Sequence, residues 1–197
     1  LLTAAVSVSD DFLDSGTIVT TRGRLADSNM SFGAHPGDLL KGAPLVVLVN
    51  HGTASAAEIV SGALKDNHRA LLIGQRTFGK GVVQTVLPLD AEHAVKLTTA
   101  RYYTPNGTSI QAEGIKPDIP LADLSVRKVD AAPELVSSEA DLPNHLANEN
   151  AKAAGNIDAD GSAAEGTLAT NDYALAQALN VLKGMALGRG AAMPAAK

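Results

Sequence analysis

The chain has 197 residues and a formal net charge of −5 at pH 7, with 45% hydrophobic, 19% charged and 3% aromatic residues. This balance is ordinary for a globular protein and predicts a core of aliphatic side chains. The acidic balance argues against a nucleic-acid partner, because neutralising phosphates requires a concentrated positive face. Cysteine is absent, which excludes disulfides and thiolate metal sites.

The first elements are a helix and a strand. Apolar residues among the first thirteen positions share one helical face, and Asp14-Ser-Gly16 is typical of a turn after a helix. Residues 17–21 are β-branched and predict a strand, whereas the polar, glycine-containing segment 22–41 predicts a loop or a poorly regular excursion. Because Leu1 is neither a start methionine nor part of a signal peptide, we expect the chain to be an excerpt of a longer one.

Residues 45–67 carry the clearest change of pattern. The apolar run 45–49 predicts a strand buried on both faces, and from Ser55 the apolar spacing becomes helical up to about Asn67. Ser55 is therefore predicted to lie at the junction between a strand and a helix. Free N–H groups and the helix dipole favour a developing negative charge there.

A glycine-flanked lysine follows between two further predicted strands, 70–73 and 82–87. Lys80 and Gln84 are four residues apart, so on an extended strand their side chains would point the same way. Gly79 and Gly81 are expected to let the backbone pass close to the serine without a clash.

The remaining elements complete an α/β prediction of stacked β-β-α units with extra strands and a C-terminal helix. After a strand at 94–104, Pro105-Asn-Gly107 predicts a turn, 108–111 a short returning strand and 114–120 an extended edge. We expect a core over 1–124, a mobile low-complexity segment over 125–170 and a helix over 171–188. That helix would lie against the core or a second subunit.

Four other interpretations compete for these motifs. Ser55-Ala-Ala-Glu58 has the spacing of a capping box, which is a purely structural role. The sequence from Gly74 to Lys80 imitates a phosphate-binding loop, but Gly81 replaces the required Ser or Thr and a strand follows. Five histidines leave a histidine base open, although no G-x-S-x-G elbow exists. Residues 156–167 imitate a calcium loop, yet Thr167 replaces the required Glu.

The motifs NHGTASAAEIVSGALKDNHRALLIGQRTFGKGVVQTVLPL and LTTARYYTPNGTSIQAEGIKPDI resemble the carboxyl-terminal (tail-specific) processing proteases. These are serine peptidases with a serine–lysine dyad and a Clp-protease/crotonase-like fold. The resemblance covers roughly residues 1–150. It implies that Ser55 is the nucleophile, Lys80 the general base, Gln84 a support for the lysine, and the Ala56 N–H an oxyanion donor.

The chemistry of a dyad sets a demand on the lysine. A serine hydroxyl needs a neighbour to remove its proton, and a free lysine side chain has a pKa of about 10.4, so it is almost fully charged at neutral pH. Burial would have to lower that pKa by about two to three units. An amide at Gln84 could bind the neutral amine without adding a charge that holds its proton.

The resemblance also implies partners and a location. Family members cleave proteins with apolar C-terminal tails, need no cofactor or metal, and in Gram-negative bacteria work in the periplasm, with a membrane-associated or extracellular location as the alternative. We expect a homodimer. The family's upstream PDZ domain and Gly-Gly oxyanion segment are missing from this chain, so its isolated activity should be weak or absent. The alternative function is a non-catalytic binding or scaffold module of the same fold.

Overall fold

The computed structural model describes residues 1–127, 144, 146 and 168–191, with the side chains of 190 and 191 left out. Its contacts divide the chain into two units. One comprises Leu1–Ala122 with Ala178–Lys197, and the other comprises Asp123–Gln177. Nearly all of the predicted low-complexity segment 125–170 lies outside the described residues, so its predicted mobility stays a prediction.

The helices lie where the apolar spacing predicts them. The α-helices whose bounds are described are α1 Leu2–Asp10, α2 Ala56–Asp66 and α3 Tyr173–Ala191, and α3 runs past the predicted end at 188. Residues 168–171 are also helical, and Ala26–Ser28 forms a 3-10 helix. α1 ends before the predicted glycine turn, because the amides of Phe12 and Leu13 donate to carbonyl oxygens only three residues back. No helix in the described part of the chain is long and apolar enough to cross a membrane.

The strands form two sheets. In chain order they are β1 Thr17–Gly23, β2 Met30–Gly33, β3 Val46–Val49, β4 Leu71–Gly74, β5 Val82–Pro88, β6 Ala94–Tyr103 and β7 Ile119–Pro120. An antiparallel sheet has the order β2-β1-β6-β5, and a parallel sheet has the order β3-β4-β7. The predicted α/β class is confirmed. The prediction of a loop over 22–41 is wrong at β2, which is short and mostly exposed and so carries little hydrophobic signal.

The parallel sheet positions the central turn. β3 and β4 pair in parallel from Val46↔Leu71 to Val49↔Gly74, with α2 as the crossover helix between them. β7 pairs beside β4, which confirms an edge role for the proline-containing segment. The predicted strand at 108–111 is reduced to a single bridge between Tyr103 and Ser109.

The expectation that β3 is buried on both faces is wrong. Val49 is 5% exposed, but Leu48 is 41% exposed. β3 is the edge strand of its sheet, and no strand among the described residues pairs with its outer side. An apolar run therefore predicted the strand correctly but not its surroundings.

One aliphatic core joins α1, α2 and both sheets, as the scarcity of aromatic residues predicts. Its largest fully buried members are Ile18, Val19, Ile59, Leu64, Leu72 and Ile110. Close packing of this kind fixes the start of α2 relative to β4 and to the loops that follow it.

Candidate active site

Ser55 lies at the end of the tight turn that joins β3 to α2. Asn50 shapes this turn, because its carbonyl oxygen accepts from the Thr53 N–H at 2.9 Å and its side-chain oxygen accepts from the Gly52 N–H at 2.9 Å. Ala56 is the first residue of the helix. The predicted change from strand to helix at the serine is confirmed.

The backbone of Ser55 is strained. Its φ of 56° and ψ of −115° lie outside the regions that a residue with a Cβ readily adopts. Such conformations cost roughly 1–3 kcal/mol and persist only when neighbouring contacts hold them. A strained serine at a strand-to-helix turn is also the arrangement of nucleophile elbows, although the G-x-S-x-G sequence is absent here.

The carboxylate that binds the N–H of this strained residue belongs to Glu58, in the first turn of α2. Glu58 is 0% exposed. Its Oε2 accepts hydrogen bonds from the Ser55 N–H at 2.8 Å and the Lys80 N–H at 2.8 Å. Its Oε1 accepts from the Gly79 N–H at 2.7 Å and the Thr77 hydroxyl at 2.5 Å.

These bonds bring the serine and lysine segments together. Because the Ser55 and Lys80 nitrogens bind one oxygen, the distance between them is at most twice the hydrogen-bond length. A second tie runs from the Phe78 N–H to the Thr53 carbonyl oxygen at 2.9 Å. The backbone of residues 77–80 is therefore fixed against the turn that carries Ser55.

The capping-box interpretation of Ser55 is confirmed, because both contacts of that motif are present. The Glu58 carboxylate accepts from the Ser55 N–H as that motif requires. The reciprocal contact of the Glu58 N–H with the Ser55 side chain is also present, but the hydrogen bond of that N–H goes to the Ser55 carbonyl oxygen at 3.0 Å.

The side chain of Lys80 is exposed, so the burial expected from the sequence is not observed in this chain. Within the described ranges, no hydrogen bond or ion pair joins Lys80 to Ser55 or Gln84. Its backbone nitrogen is held beside that of Ser55, because both bond to Glu58 Oε2.

Gln84 is also exposed, and the argument for its orientation fails. β5 begins at Val82, after Lys80, and the register of β5 against β6 shifts between Val83 and Gln84. A bulge of this kind interrupts the alternation of side chains on which the prediction relied. The predicted role of Gln84 beside the lysine stays a prediction.

The two glycines beside Lys80 permit a close backbone approach, but to a different partner than expected. A Cβ at Gly81 would lie 2.3 Å from the Gln111 backbone nitrogen. A Cβ at Gly79, whose φ is +89°, would lie 3.0 Å from the Gly114 backbone nitrogen. The lysine loop is therefore packed against residues 110–114 on one side and held by Glu58 on the other.

The Ala56 N–H, for which the family resemblance implies the role of an oxyanion donor, lies at the start of α2, and that role stays a prediction. It is the first amide of α2, and within the described part of the chain no acceptor is bonded to it. The next three helix amides donate to the carbonyl oxygens of Ala54 and Ser55. A free amide next to the serine hydroxyl can stabilise a negative charge that develops there.

Asp38 and Arg69 form a partly buried ion pair just beyond the other end of α2. The Arg69 guanidinium donates to the carboxylate at 2.9 Å and 3.2 Å, and this bonding, followed by the Gly42 and Leu40 amides, holds the pKa of Asp38 below its ordinary value. Arg69 also donates to the Ala43 carbonyl oxygen. This pair ties the segment that leads into β3 to the end of the helix.

The competing motifs find less support. The segment after Lys80 is β5 and not a helix, so it lacks the helix N-terminus of a phosphate-binding loop. His35 pairs with Asp10 and His93 with Asp90, and no histidine among residues 1–127 bonds to Ser55. The described residues contain no group of three His, Asp or Glu that could hold a metal. The calcium-loop imitation at 156–167 lies outside them.

Sequence reasoning missed the central role of Glu58 and Thr77. The S-x-x-E spacing pointed to Glu58, but only as a local helix cap. Nothing in the spacing indicated that a threonine and two amides about twenty residues later would share its carboxylate. A glutamate on the apolar face of α2, beside Ile59 and Gly62, was the signal available.

Comparisons with known proteins find relatives of this chain. A family model described as Peptidase family S41 matches residues 1–121. The carboxy-terminal-processing protease of Bartonella bacilliformis is 57% identical over 119 residues, which are 60% of this chain and 27% of that protein. The chloroplastic C-terminal processing peptidase of Tetradesmus obliquus is 44% identical over 124 residues, 61% of this chain and 26% of that protein.

A solved structure supports the fold. The photosystem II D1 C-terminal processing protease matches with a TM-score of 0.55 and 42% identity, over 61% of this chain and 31% of that one. This likeness agrees with the predicted Clp-protease/crotonase-like α/β core. The chain spans about a quarter of the length of the curated relatives described above.

Proposed function

Because the chain belongs to peptidase family S41, we propose that it carries the Ser55–Lys80 centre of a serine endopeptidase that cleaves proteins near their C-terminal tails. The observation that supports this most directly is the pair of hydrogen bonds from the Ser55 and Lys80 amides to one Glu58 oxygen. The proposal also rests on the strained backbone of Ser55, which lies at the start of a helix.

The proposed acylation begins with attack of the Ser55 Oγ on the carbonyl carbon of the scissile peptide bond. The hydroxyl proton passes to the neutral amine of Lys80, and the Ala56 N–H donates to the resulting oxyanion. When the intermediate collapses, the C–N bond breaks and the lysine returns the proton to the leaving amine. An ester between Ser55 and the substrate remains.

Deacylation repeats these steps with water. Lys80 takes a proton from the attacking water, the oxyanion again binds the Ala56 N–H, and the proton returns to Ser55 as the ester bond breaks. A free carboxyl terminus is released. Gln84 is proposed to hold the lysine amine through its amide, which carries no charge.

The exposure of Lys80 is compatible with the expectation that isolated activity is weak or absent, since covering an amine with apolar groups disfavours its charged form. The chain spans only 27% of the Bartonella relative, so a covering segment elsewhere in the full-length protein is compatible with the proposal.

An apolar substrate tail suits the surface beside the serine. Phe78 lies between the anchored residues Thr77 and Gly79, and its side chain is 68% exposed. All six aromatic residues of the chain are described, and Phe78 is the exposed one among them. We propose that this ring contacts the apolar tail of the substrate.

The test uses the full-length protein and a protein substrate with an apolar C-terminal tail. We expect Ser55→Ala and Lys80→Ala each to abolish truncation of the tail, measured by intact-mass spectrometry, with melting temperatures close to wild type. A Lys80→Ala variant with near-normal turnover would remove the lysine from the mechanism.

A periplasmic location is part of the proposal, and fractionation of cells that produce the full-length protein tests it.

A non-catalytic binding or scaffold module is the second candidate, and one observation favours it: the exposed Lys80 amine makes no contact with Ser55 in the described structure. A full-length protein that binds tailed proteins with equal affinity before and after Ser55→Ala, without cleaving them, would support this alternative.

A further inference from the structure

Glu58 is a buried carboxylate for which the capping of α2 is an insufficient explanation. It is 0% exposed, and none of the salt bridges among the described residues includes it. Burial of a carboxylate is costly unless hydrogen bonds replace its hydration. A cap needs one of these bonds, whereas Glu58 makes four, three of them to residues 77–80.

We infer that Glu58 is a positioning residue of the active site, one that sets the separation of the serine and lysine backbones. This inference rests on the proposed Ser55–Lys80 mechanism. Its geometric basis is Oε2, the single atom that accepts from both the Ser55 N–H and the Lys80 N–H at 2.8 Å. Movement of either segment away from the other must break one of these bonds.

The pattern of donors assigns Glu58 no acid or base role. A carboxylate has two oxygens with about four acceptor sites in total. Three backbone amides and the Thr77 hydroxyl supply four donors. No acceptor site is left for the ammonium group of Lys80, so the buried charge orients the lysine segment without an ion pair that would hold the proton on the amine.

The strained backbone of Ser55 makes this anchor necessary. At φ 56° and ψ −115° the serine would relax if its N–H lost its partner, and its hydroxyl would move with it. Displacement of a reacting group by about 1 Å can cost roughly 100-fold in rate. A loss of the Glu58 carboxylate should therefore reduce the rate of the chemical step more than the binding of substrate.

Thr77 extends the anchor to a third segment. Its hydroxyl donates to Glu58 Oε1 and accepts from the Ile115 N–H at 2.7 Å, and Thr77 is 4% exposed. The same hydroxyl therefore connects Glu58 to the loop against which Gly79 and Gly81 pack. Glu58 thus joins α2, the lysine loop and the 110–115 segment through one side chain.

The test compares Glu58→Gln with Ser61→Ala in the full-length enzyme. In the Gln variant, an NH2 group replaces one of the two carboxylate oxygens. Because an NH2 group cannot accept a hydrogen bond from a backbone N–H, the side chain loses at least one of its bonds to the backbone amides. Ser61 lies one turn further along α2, is 2% exposed and bonds only to the Ala57 carbonyl oxygen in the described structure, so it controls for helix destabilisation. Both variants are assayed at a temperature where circular dichroism shows them folded.

We expect Glu58→Gln to lower kcat about 100-fold with KM within about twofold of wild type, while Ser61→Ala keeps the wild-type kcat. A folded Glu58→Gln enzyme with near-normal kcat, in a protein whose Ser55→Ala variant is inactive, would overturn the inference. Retained activity in Ser55→Ala would instead overturn the proposed function.

Should Glu58→Gln fail to fold, Glu58→Asp decides the question. It keeps the charge but withdraws both oxygens by one methylene, and we expect kcat to fall about tenfold or more at unchanged KM. A folded Asp variant with full kcat would overturn the inference.

Discussion

The amides of Ser55 and Lys80 donate hydrogen bonds to the same atom, Glu58 Oε2, each at 2.8 Å. Twenty-five positions apart in sequence, the two residues are adjacent in space because a crossover helix and a parallel strand fold the chain back on itself. This relationship places the backbones of the serine and the lysine side by side, even though the Lys80 side chain is exposed in this chain.

The strain at Ser55 predicts an unusual order of stability for two inactive variants. Gly tolerates positive φ, whereas Ala keeps the Cβ that causes the conflict. We expect Ser55→Gly to have a free energy of unfolding about 1 kcal/mol higher than Ser55→Ala, although Gly normally destabilises. Urea denaturation of the two variants measures the difference. Equal stability, or a more stable Ala variant, would show that the serine backbone is relaxed in solution.

The approach of Gly81 to residues 110–111 predicts that Gly81→Ala is destructive. Its Cβ would lie 2.3 Å from the Gln111 nitrogen and 2.8 Å from the Ile110 carbonyl carbon, which are backbone atoms that cannot rotate away. We expect a loss of roughly 1–3 kcal/mol in unfolding free energy and loss of cleavage.

Gly33→Ala is the matched control for this variant. A Cβ there would meet its nearest neighbour, the Gly16 carbonyl oxygen, at 3.6 Å, an ordinary contact. A Gly33→Ala protein as damaged as Gly81→Ala would mean that the loss reflects general intolerance of alanine and not the close approach.

The Asp38–Arg69 pair predicts a pH-dependent contribution to stability. Hydrogen bonding from Arg69 first, and then from the Gly42 and Leu40 amides, holds the pKa of Asp38 below its ordinary value of 3.8. A lowered pKa in the folded state means that the stabilisation is present above pH 3.8 and is lost as the pH falls through the folded-state pKa. The difference in urea midpoint between wild type and Asp38→Asn should therefore shrink on acidification. An Arg69→Met background should remove most of this pH dependence, and its persistence there would exclude Arg69 as the main cause.

Exposed leucines on α3 allow a test of the expected homodimer. Leu179 is 38% exposed and Leu187 is 76% exposed, so both could contact a second copy. We expect light scattering on the wild-type chain to give twice the monomer mass at micromolar concentration, and Leu179→Lys with Leu187→Lys to give the monomer mass. A wild-type monomer would count against α3 as a dimer element.

Local patterns determined much of the secondary structure. The β-branched runs at β1 and β5 and the helical spacing after Ser55 are set by interactions between near neighbours, which a sequence displays directly. Family resemblance, through the serine, lysine and glutamine motifs, assigned roles to Ser55, Ala56, Lys80 and Gln84. β2 was not predicted, because a four-residue strand that is mostly exposed has too few apolar residues to show an alternating pattern.

The sequence by itself determined the α/β class, the strand-to-helix turn at Ser55 and the glycine-flanked lysine, because each depends on residue types within one or two turns of chain. Only the tertiary structure decided that Glu58 binds both segments, that Leu48 on the edge strand β3 is exposed, and that Gly79 and Gly81 approach residues 110–114. The physical reason is that these features depend on contacts between residues far apart in sequence. Distant backbone groups bond to a buried carboxylate, or pack against glycines that have no Cβ. Such contacts are determined by packing over the whole core and produce no periodic pattern in the sequence.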